Sequence, residues 1–300
     1  YCTSGGETQE IFGTALKQAR EKGMLGKAIP GTSFDFAIDL FGGAGDFIVG
    51  DETVLISSME SGRPVARPKP PSPAQAGFLG KPTVVHGPET LANLPAILKR
   101  GAGWFRSLGV ESDPGTRVVT LTGGVEPAGV IEVECGTPLR EILFQEGREI
   151  VQGKQFKAIQ LGGPTGGFIP ESLLDTPLDS NSLKDAGQIA GSGSVLVITD
   201  DVLLVETVRD AIALSVDASC GLCVPCRFGL KVVQNLLDKL VEGGAVDEDL
   251  TLLNEMCTHI KDTSLCGLGK TAPLPVLTSL NHFPSDYSAC IKARPVAVGA

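Results

Sequence analysis

Four cysteines have the types and spacing of a metal or redox site. Cys220, Cys223 and Cys226 lie in the run CGLCVPC, and Cys266 begins a second run, CGLG. The two residues between successive cysteines turn the chain far enough to redirect the next sulfur. Three thiolates can therefore bind three corners of one metal centre, and Cys266 would supply the fourth ligand. Four thiolates are the ligand set of a [4Fe–4S] cluster, whose potential is tuned by hydrogen bonds and solvent exposure.

Two other chemistries use the same residue types. Structural zinc sites commonly take two separated CxxC pairs, which a triple with one distant partner fits less well. Disulfides are disfavoured in a reducing compartment, where CxxC spacing indicates metal or redox use. The spacing therefore favours the cluster, with zinc and disulfides as the alternatives.

The residues around Cys226 have two interpretations. Cys226 leads into an apolar stripe of helical period that begins at Phe228, so N–H groups at the helix start could face an anionic cluster. Arg227 is either a positive charge beside the cluster or a solvated side chain. Cys257, by contrast, falls on an apolar helical stripe, where a thiol packs as a small hydrophobe.

The elements that must position these cysteines follow from periodicity. Residues 7–24, 53–60 and 89–99 have helical spacing, whereas residues 34–41 alternate apolar and acidic side chains as a half-buried strand does. From residue 116 to residue 200 the order is strand, strand, helix, strand, which is typical of a small β-grasp module. After residue 201 the apolar stripes recur at 3.6-residue intervals, which predicts a helical bundle carrying the cysteines.

Composition narrows the functional classes. The chain has 300 residues, 42% of them hydrophobic, and a formal net charge of −10. That charge argues against nucleic acid as a partner, because phosphates are bound by Lys and Arg. No apolar run long enough for a membrane span and no signal peptide occur in the sequence, so we expect a cytosolic protein. The chain opens on Tyr1, and we expect the native protein to continue upstream.

The motifs resemble those of a known family. The runs SCGLCVPCRFGL and DTSLCGLGKTAPLPVL, with QLGGPTGG and LDTPLD before them, resemble the NADH-binding flavoprotein subunit, of 51-kDa type, of respiratory complex I. Related subunits occur in NAD-linked and electron-bifurcating hydrogenases and in formate dehydrogenases. The resemblance extends upstream through GAGDFIVGDET and RPKPPSPAQAGFLGKPT and covers nearly the whole chain.

The resemblance implies a fold of α/β plus α class in three parts. Residues 1–114 would be the remnant of a Rossmann-like domain that binds flavin and NADH. Residues 115–200 would be a β-grasp domain of the soluble-ligand-binding type, and residues 201–300 a helical domain holding one [4Fe–4S] cluster. The cluster ligands carry over as Cys220, Cys223, Cys226 and Cys266.

The flavin site carries over only in part, because the family's main flavin loop would lie upstream of Tyr1. What remains is a glycine-rich loop with an acidic end, and a lysine in the proline-rich loop belongs to the same predicted site. The residues that could contact FMN or NAD(H) here are Gly45, Phe47, Gly50, Asp51, Glu52 and Lys69. From the residues alone, Glu52 is equally well a surface acid at a tight turn.

Two departures from the family pattern affect the flavin and nicotinamide contacts. The family has an Asn-Asn pair that contacts the flavin, where this chain has His86 and Gly87, followed shortly by Thr90. An aromatic residue usually follows the two prolines, where this chain has Ser72. The pocket is therefore predicted to be either altered or degenerate.

Three functional hypotheses follow. The first is an electron-transfer subunit of an NAD(P)H-linked oxidoreductase complex, passing electrons between FMN and the cluster, within an NADH dehydrogenase or an NAD-linked hydrogenase or formate dehydrogenase. The second is a flavin-free relay or docking subunit, and the third a zinc-stabilised binding module. The resemblance implies hetero-oligomeric redox partners, including a [2Fe–2S] subunit, at the cytoplasmic face of a membrane complex or free in the cytoplasm.

Overall fold

The chain forms two compact units, residues 1–85 and residues 86–300. They are seen in a computed structural model that describes residues 6–42, 50–145 and 148–291. The predicted domain boundaries after residues 114 and 200 remain predictions. Among the described residues, no helix combines the length and the apolar character needed to cross a membrane.

The regular elements described in the first unit are helices. Its helices are α1 (Gly6–Glu21), α2 (Glu52–Ser61) and α3 (Pro73–Ala76), followed by a 3₁₀ turn, Phe78–Gly80. Helix α2 begins after Asp51, whose carboxylate accepts a hydrogen bond from the backbone N–H of Thr53 at 2.8 Å. It ends at Gly62, which adopts a left-handed φ of 71° that glycine adopts without strain. The helices predicted for residues 7–24 and 53–60 are confirmed.

The strand predicted for residues 34–41 is wrong. Phe36 makes an isolated antiparallel bridge to Gly26, and the side chains of Phe34 and Phe36 are 60% and 46% exposed. A strand needs a neighbour for its backbone groups and a surface against its apolar face. No strand occurs within residues 6–42 and 50–85, so this part of the unit shows no sheet of the predicted Rossmann-like kind.

The second unit opens with two helices and then builds a sheet. The helices are α4 (Pro88–Arg100) and α5 (Ala102–Arg106). The strands are β1 (Gly109–Val110), β2 (Asp113–Pro114), β3 (Thr116–Gly123), β4 (Val125–Glu126), β5 (Gly129–Glu134), β6 (Glu149–Ile150), β7 (Phe156–Leu161), β8 (Phe168–Pro170) and β9 (Ser194–Thr199). The main sheet has five strands in the order β5-β3-β9-β7-β8. Strands β3 and β9 pair in parallel, and the other neighbours are antiparallel.

Two helices, α6 (Leu139–Phe144) and α7 (Ser180–Asp185), contribute to the core of the sheet. Leu139, Ile142 and Leu143 of α6 are each 1% exposed and join Leu121 of β3 and Ile159 of β7 in one cluster. Burying each such side chain contributes about 1.5–3 kcal/mol. The predicted order of two strands, a helix and further strands is confirmed for this region.

The turn between β7 and β8 explains the glycines of the QLGGPTGG motif. A Cβ added to Gly166 would lie 1.7 Å from the carbonyl oxygen of Leu161. No side chain fits there, because the backbone of the turn folds directly against the end of β7. The motif therefore encodes a tight backbone contact at the edge of the sheet.

The rest of the second unit is a helical bundle. It comprises α8 (Leu204–Asp217), α9 (Leu230–Val241), α10 (Asp247–Thr263), α11 (Gly267–Thr271), α12 (Leu274–His282) and α13 (Pro284–Ser288). The predicted stripe on α9 is buried at Val233, Leu236, Leu237 and Leu240. The polar contacts between the bundle and the sheet include one from β8 and one from β7. Phe168 N–H of β8 donates to Thr278 Oγ1 of α12 at 2.8 Å, and Lys157 of β7 pairs with Asp286 of α13 at 2.5 Å.

An ion pair between β2 and β3 is hydrogen-bonded to the start of α7. Asp113 Oδ2 accepts hydrogen bonds from Arg117 Nη2 at 2.8 Å and from the N–H and hydroxyl of Ser180 at 2.9 and 2.8 Å. Burial raises the pKa of Asp113, but these hydrogen bonds outweigh burial and hold it below its ordinary value of 3.8. The contribution to stability is present above pH 3.8 and is lost as the pH falls further through the folded-state pKa.

We expect Asp113→Asn to lower the free energy of unfolding at pH 7 by about 1–3 kcal/mol, because it removes the charge-assisted hydrogen bonds. The difference from the unsubstituted protein should narrow as the pH falls below 3.8, and urea unfolding across this range measures it. Asp175→Asn is the control, because Asp175 is 73% exposed and its pair with Arg140 lies at the surface. A difference that stays constant with pH would contradict the assignment.

Candidate metal centre

Three of the four predicted ligands lie in the connection between α8 and α9. Cys220 and Cys223 precede the helix, and Cys226 lies in a π-helical turn, Pro225–Gly229, that continues into α9. The N–H of Arg227 donates to the carbonyl oxygen of Cys223 at 3.0 Å, so the helical hydrogen bonding begins at the second cysteine. The tight CxxCxxC spacing is thus folded around a helix start.

Cys266 reaches the same place from the other side of the bundle. It precedes α11, in the connection that follows α10. Burial raises the pKa of the Cys226 thiol to about 11; the Ser219 hydroxyl lowers it, and the neighbouring Cys223, Cys266 and Cys220 raise it further. All three other cysteines are therefore close enough to influence the Cys226 thiol, so the four predicted ligands lie in one region of the bundle.

The cysteines outside this group have different surroundings. Cys257 is fully buried on α10, and burial alone raises its pKa to about 12, as expected of a thiol packed in an apolar core. Cys135 lies against Arg117 near the sheet, and the thiol of Cys290 donates to the carbonyl oxygen of Asp286. Cys2 is outside the described residues.

A serine immediately before the ligand run contacts one of its cysteines. Ser219 Oγ lies 3.3 Å from Cys226 Sγ, and the N–H of Gly221 donates to the same Oγ at 3.3 Å. Ser219 therefore holds the loop and one ligand at once. The sequence patterns alone did not identify Ser219 as part of the site, although it directly precedes the predicted ligand Cys220.

Two glycines allow the elements around the ligands to pack closely. A Cβ on Gly269 would lie 2.4 Å from Ser264 Oγ and 3.2 Å from Cys226 Cβ, so α11 approaches Cys226 without room for a side chain. A Cβ on Gly229 would lie 2.7 Å from Ile260 Cγ1 of α10. The second glycine of CGLG is thus a packing requirement.

The buried groups beside the ligands fit an iron–sulfur cluster. Ser264 is 5% exposed, and its hydroxyl has no hydrogen-bond partner in the described part of the chain, which is costly unless another group supplies one. A thiol with a pKa near 11 binds metal only by giving up its proton. Four clustered cysteines, one of them buried, provide the donor set of such a cluster.

The part of the chain that the structure describes has no ready site for a single metal ion. Within residues 6–42, 50–145 and 148–291, no three His, Cys, Asp or Glu side chains are arranged to hold a single ion. A [4Fe–4S] cluster assigns one thiolate to each of four irons, so its ligands need not converge on one point. No disulfide joins Cys220, Cys223 or Cys226.

The outer side of the site is apolar and exposed. Leu222, Val224 and Phe228 are 51%, 62% and 55% exposed. The guanidinium of Arg227 lies over the Phe228 ring, 4.5 Å from its centroid, and Arg227 is itself exposed. Arg227 is therefore a solvated side chain, the second of the two roles predicted for it, and its charge lies next to an aromatic ring.

The predicted flavin residues of the first unit have local structural partners. Asp51 caps α2, and Glu52 forms an ion pair with Lys69 of the proline-rich loop. Gly50 is exposed just before this cap. The structure therefore brings Glu52 and Lys69 together, whereas Gly45 and Phe47 lie outside the described residues.

The other predicted flavin residues belong to the second unit. His86, Gly87 and Thr90 are exposed at the start of α4, which is preceded by Gly87. Gly87 and Thr90 line a cleft of about 400 Å³ that is also lined by Val118 of β3 and by Gly191 and Ser192 in the turn before β9. His86 does not line this cleft. Ser72 caps the short helix α3, where its N–H donates to the side chain of Gln75.

Comparison with known proteins agrees with the site. Residues 206–290, which contain all four cysteines and α8 to α13 apart from the first two residues of α8, match the family model described as the NADH-ubiquinone oxidoreductase-F iron-sulfur binding region. This match and the clustered thiols define the class: the chain is an iron–sulfur protein.

Longer matches cover nearly the whole chain. It is 43% identical over 275 residues to the NADP-reducing hydrogenase subunit HndC of Solidesulfovibrio fructosivorans, covering 92% of this chain and 56% of that protein. It is 36% identical over 279 residues to the F subunit of the NADH-quinone oxidoreductase of Escherichia coli, covering 93% of this chain and 63% of that protein.

A solved structure has the same fold. The crystal structure of an NAD⁺-reducing [NiFe]-hydrogenase in the H₂-reduced state matches with a TM-score of 0.81 at 29% identity, over 93% of this chain and 47% of that chain. The chain belongs to the 51-kDa-type family that includes the F subunit of NADH-quinone oxidoreductase and the related hydrogenase subunits. It spans roughly half to two thirds of the length of these relatives.

Proposed function

We propose that this chain is the electron-transfer part of an NAD(P)H-linked oxidoreductase complex, passing electrons between FMN and a [4Fe–4S] cluster. The observation that carries the proposal is the gathering of Cys220, Cys223, Cys226 and Cys266 within the matched iron–sulfur region. The relatives that match 92% and 93% of the chain are NADP- and NADH-linked redox subunits by name, which supports the choice of reaction.

In this proposal the four cysteines hold the cluster, which when bound supplies a one-electron carrier. The chain's own contribution is to fix the thiolates at two helix starts and to shield Cys226 from water. Ser219 and the buried Ser264 surround the site with hydroxyl groups. The protein thus provides orientation and a partly buried environment, both of which influence potential.

The nucleotide and flavin residues are part of the proposal. FMN or NAD(H) would contact Gly45, Phe47, Gly50, Asp51, Glu52 and Lys69 in the first unit, and His86, Gly87 and Thr90 in the second. The Glu52–Lys69 ion pair supports this proposal, because it holds two charged side chains in place where a nucleotide would bind. In the same proposal residues 1–114 are the remnant of a Rossmann-like flavin domain, 115–200 a β-grasp domain and 201–300 the helical cluster domain.

Other redox subunits would receive or deliver the electrons. The exposed apolar side chains of Leu222, Val224 and Phe228, next to the ligand cysteines, support docking of another subunit there. We propose that the partners include a [2Fe–2S] subunit and that the complex works in the cytoplasm or at the cytoplasmic face of a membrane.

Two side chains of the candidate nucleotide site favour the alternative of a flavin-free relay subunit. Asp51 is engaged as a helix cap, and Ser72 offers a hydroxyl where the family pattern has an aromatic ring. A cluster protein with such a site would accept electrons from a partner and perform no nicotinamide chemistry.

Cofactor content distinguishes these functions. The full-length native protein, purified anaerobically, is expected to contain about four irons per chain and FMN, and NADH or NADPH should bleach its visible absorption. About four irons without flavin, and no response to either nucleotide, would support the relay subunit instead. One zinc and no iron would exclude both.

A further inference from the structure

We infer that Ser219 is a positioning residue that raises the reduction potential of the cluster through an O–H···S hydrogen bond to the ligand Cys226. The inference rests on the cluster site proposed above and concerns a residue outside the ligand set. It begins from the 3.3 Å separation between Ser219 Oγ and Cys226 Sγ.

The direction of this hydrogen bond follows from the partners of the hydroxyl. Ser219 Oγ already accepts the N–H of Gly221, so its own hydrogen is available to donate. A thiolate that ligates iron has no hydrogen and can only accept. With the cluster bound, the hydroxyl of Ser219 therefore donates to the sulfur of Cys226.

The location of the contact makes it effective. Cys226 is 5% exposed, the smallest exposure that the structure gives to a proposed ligand, so water competes little for its sulfur. Electrostatic interactions are stronger in such a low-dielectric environment. Reduction adds negative charge to the cluster, and a donated hydrogen bond to a sulfur stabilises the more negative state, which raises the potential.

The test is a mediated optical redox titration of the iron-loaded full-length protein. In Ser219→Ala, the ratio of reduced to oxidised cluster at a fixed potential should fall about threefold to tenfold, where tenfold corresponds to 59 mV for one electron. Ser219→Thr should stay near the unsubstituted protein, because it keeps the hydroxyl.

Ser219→Val completes the set of variants. Valine has the shape of threonine without the hydroxyl. Comparing Ser219→Thr with Ser219→Val therefore isolates the effect of the hydroxyl on the reduction potential, even where alanine loosens the loop. We expect valine to behave as alanine. The Fe–S stretching bands in resonance Raman spectra should also shift in D₂O for the unsubstituted protein and for Ser219→Thr, and shift less for the other two.

Ser215→Ala is the matched control. Ser215 is 1% exposed, and its hydroxyl donates to the carbonyl oxygen of Ala211 at 3.0 Å within α8, so its loss should leave the potential unchanged. An unchanged reduction potential in iron-loaded Ser219→Ala and Ser219→Val overturns the inference. A reduction potential of Ser219→Thr as low as that of Ser219→Val also overturns it. Absence of iron from the unsubstituted protein would instead overturn the proposed function.

Discussion

Replacing Cys266 by serine is expected to remove the fourth corner of the cluster and to give the largest change in cofactor content. The serine oxygen is a harder donor than thiolate, and soft thiolates are the ligands that iron–sulfur clusters select. We expect iron to fall from about four per chain to three or fewer, with a changed visible and electron paramagnetic resonance spectrum.

The control for this variant is Cys290→Ser. Cys290 donates its thiol hydrogen to the carbonyl oxygen of Asp286, and a serine hydroxyl can make the same hydrogen bond. This variant should keep its iron and its spectrum. If Cys266→Ser kept both as well, Cys266 would not be a ligand.

A methyl group on Gly269 is expected to give the second large effect. The new Cβ would lie 2.4 Å from Ser264 Oγ and 3.2 Å from Cys226 Cβ, so both the buried serine and a ligand must move. Overpacking of this kind costs about 1–3 kcal/mol. We expect Gly269→Ala to unfold at lower denaturant concentration and to retain less iron after the same anaerobic reconstitution.

The other glycine of the CGLG run is the matched control. Gly267 is exposed, and a Cβ added there would meet no atom within 4 Å. Gly267→Ala should therefore be neutral, or more stable by up to about 1 kcal/mol, because alanine loses less backbone entropy in a helix. Equal loss of iron in the two variants would refute the packing explanation.

Much of the second unit could be predicted from its sequence. The stripe of α9 and the alternation in β3 and β5 are short-range patterns, and one buried face is enough to produce them. The strand predicted for residues 34–41 had the same kind of pattern, but the described part of its unit gives it an isolated bridge from Phe36 to Gly26 and no neighbouring strand. Alternation therefore identifies a segment suited to a sheet, but it does not supply the sheet.

The amino-acid sequence by itself determined the chemistry available to this protein. Three thiols within seven residues can meet at one centre, because a single turn of the chain across each two-residue gap is enough to bring successive thiols to the same side. The same holds for the negative charge that disfavours nucleic acid.

Only the tertiary structure decided the environment of those thiols. Cys266, Ser264 and Gly269 reach Cys226 through the packing of α10 and α11 against the start of α9. Contacts between residues far apart in sequence depend on how helices pack, and no local spacing encodes which side chains meet there. The hydrogen bond from Ser219 also depends on the fold of the loop, since a neighbour in sequence points toward a ligand only when the backbone turns it there.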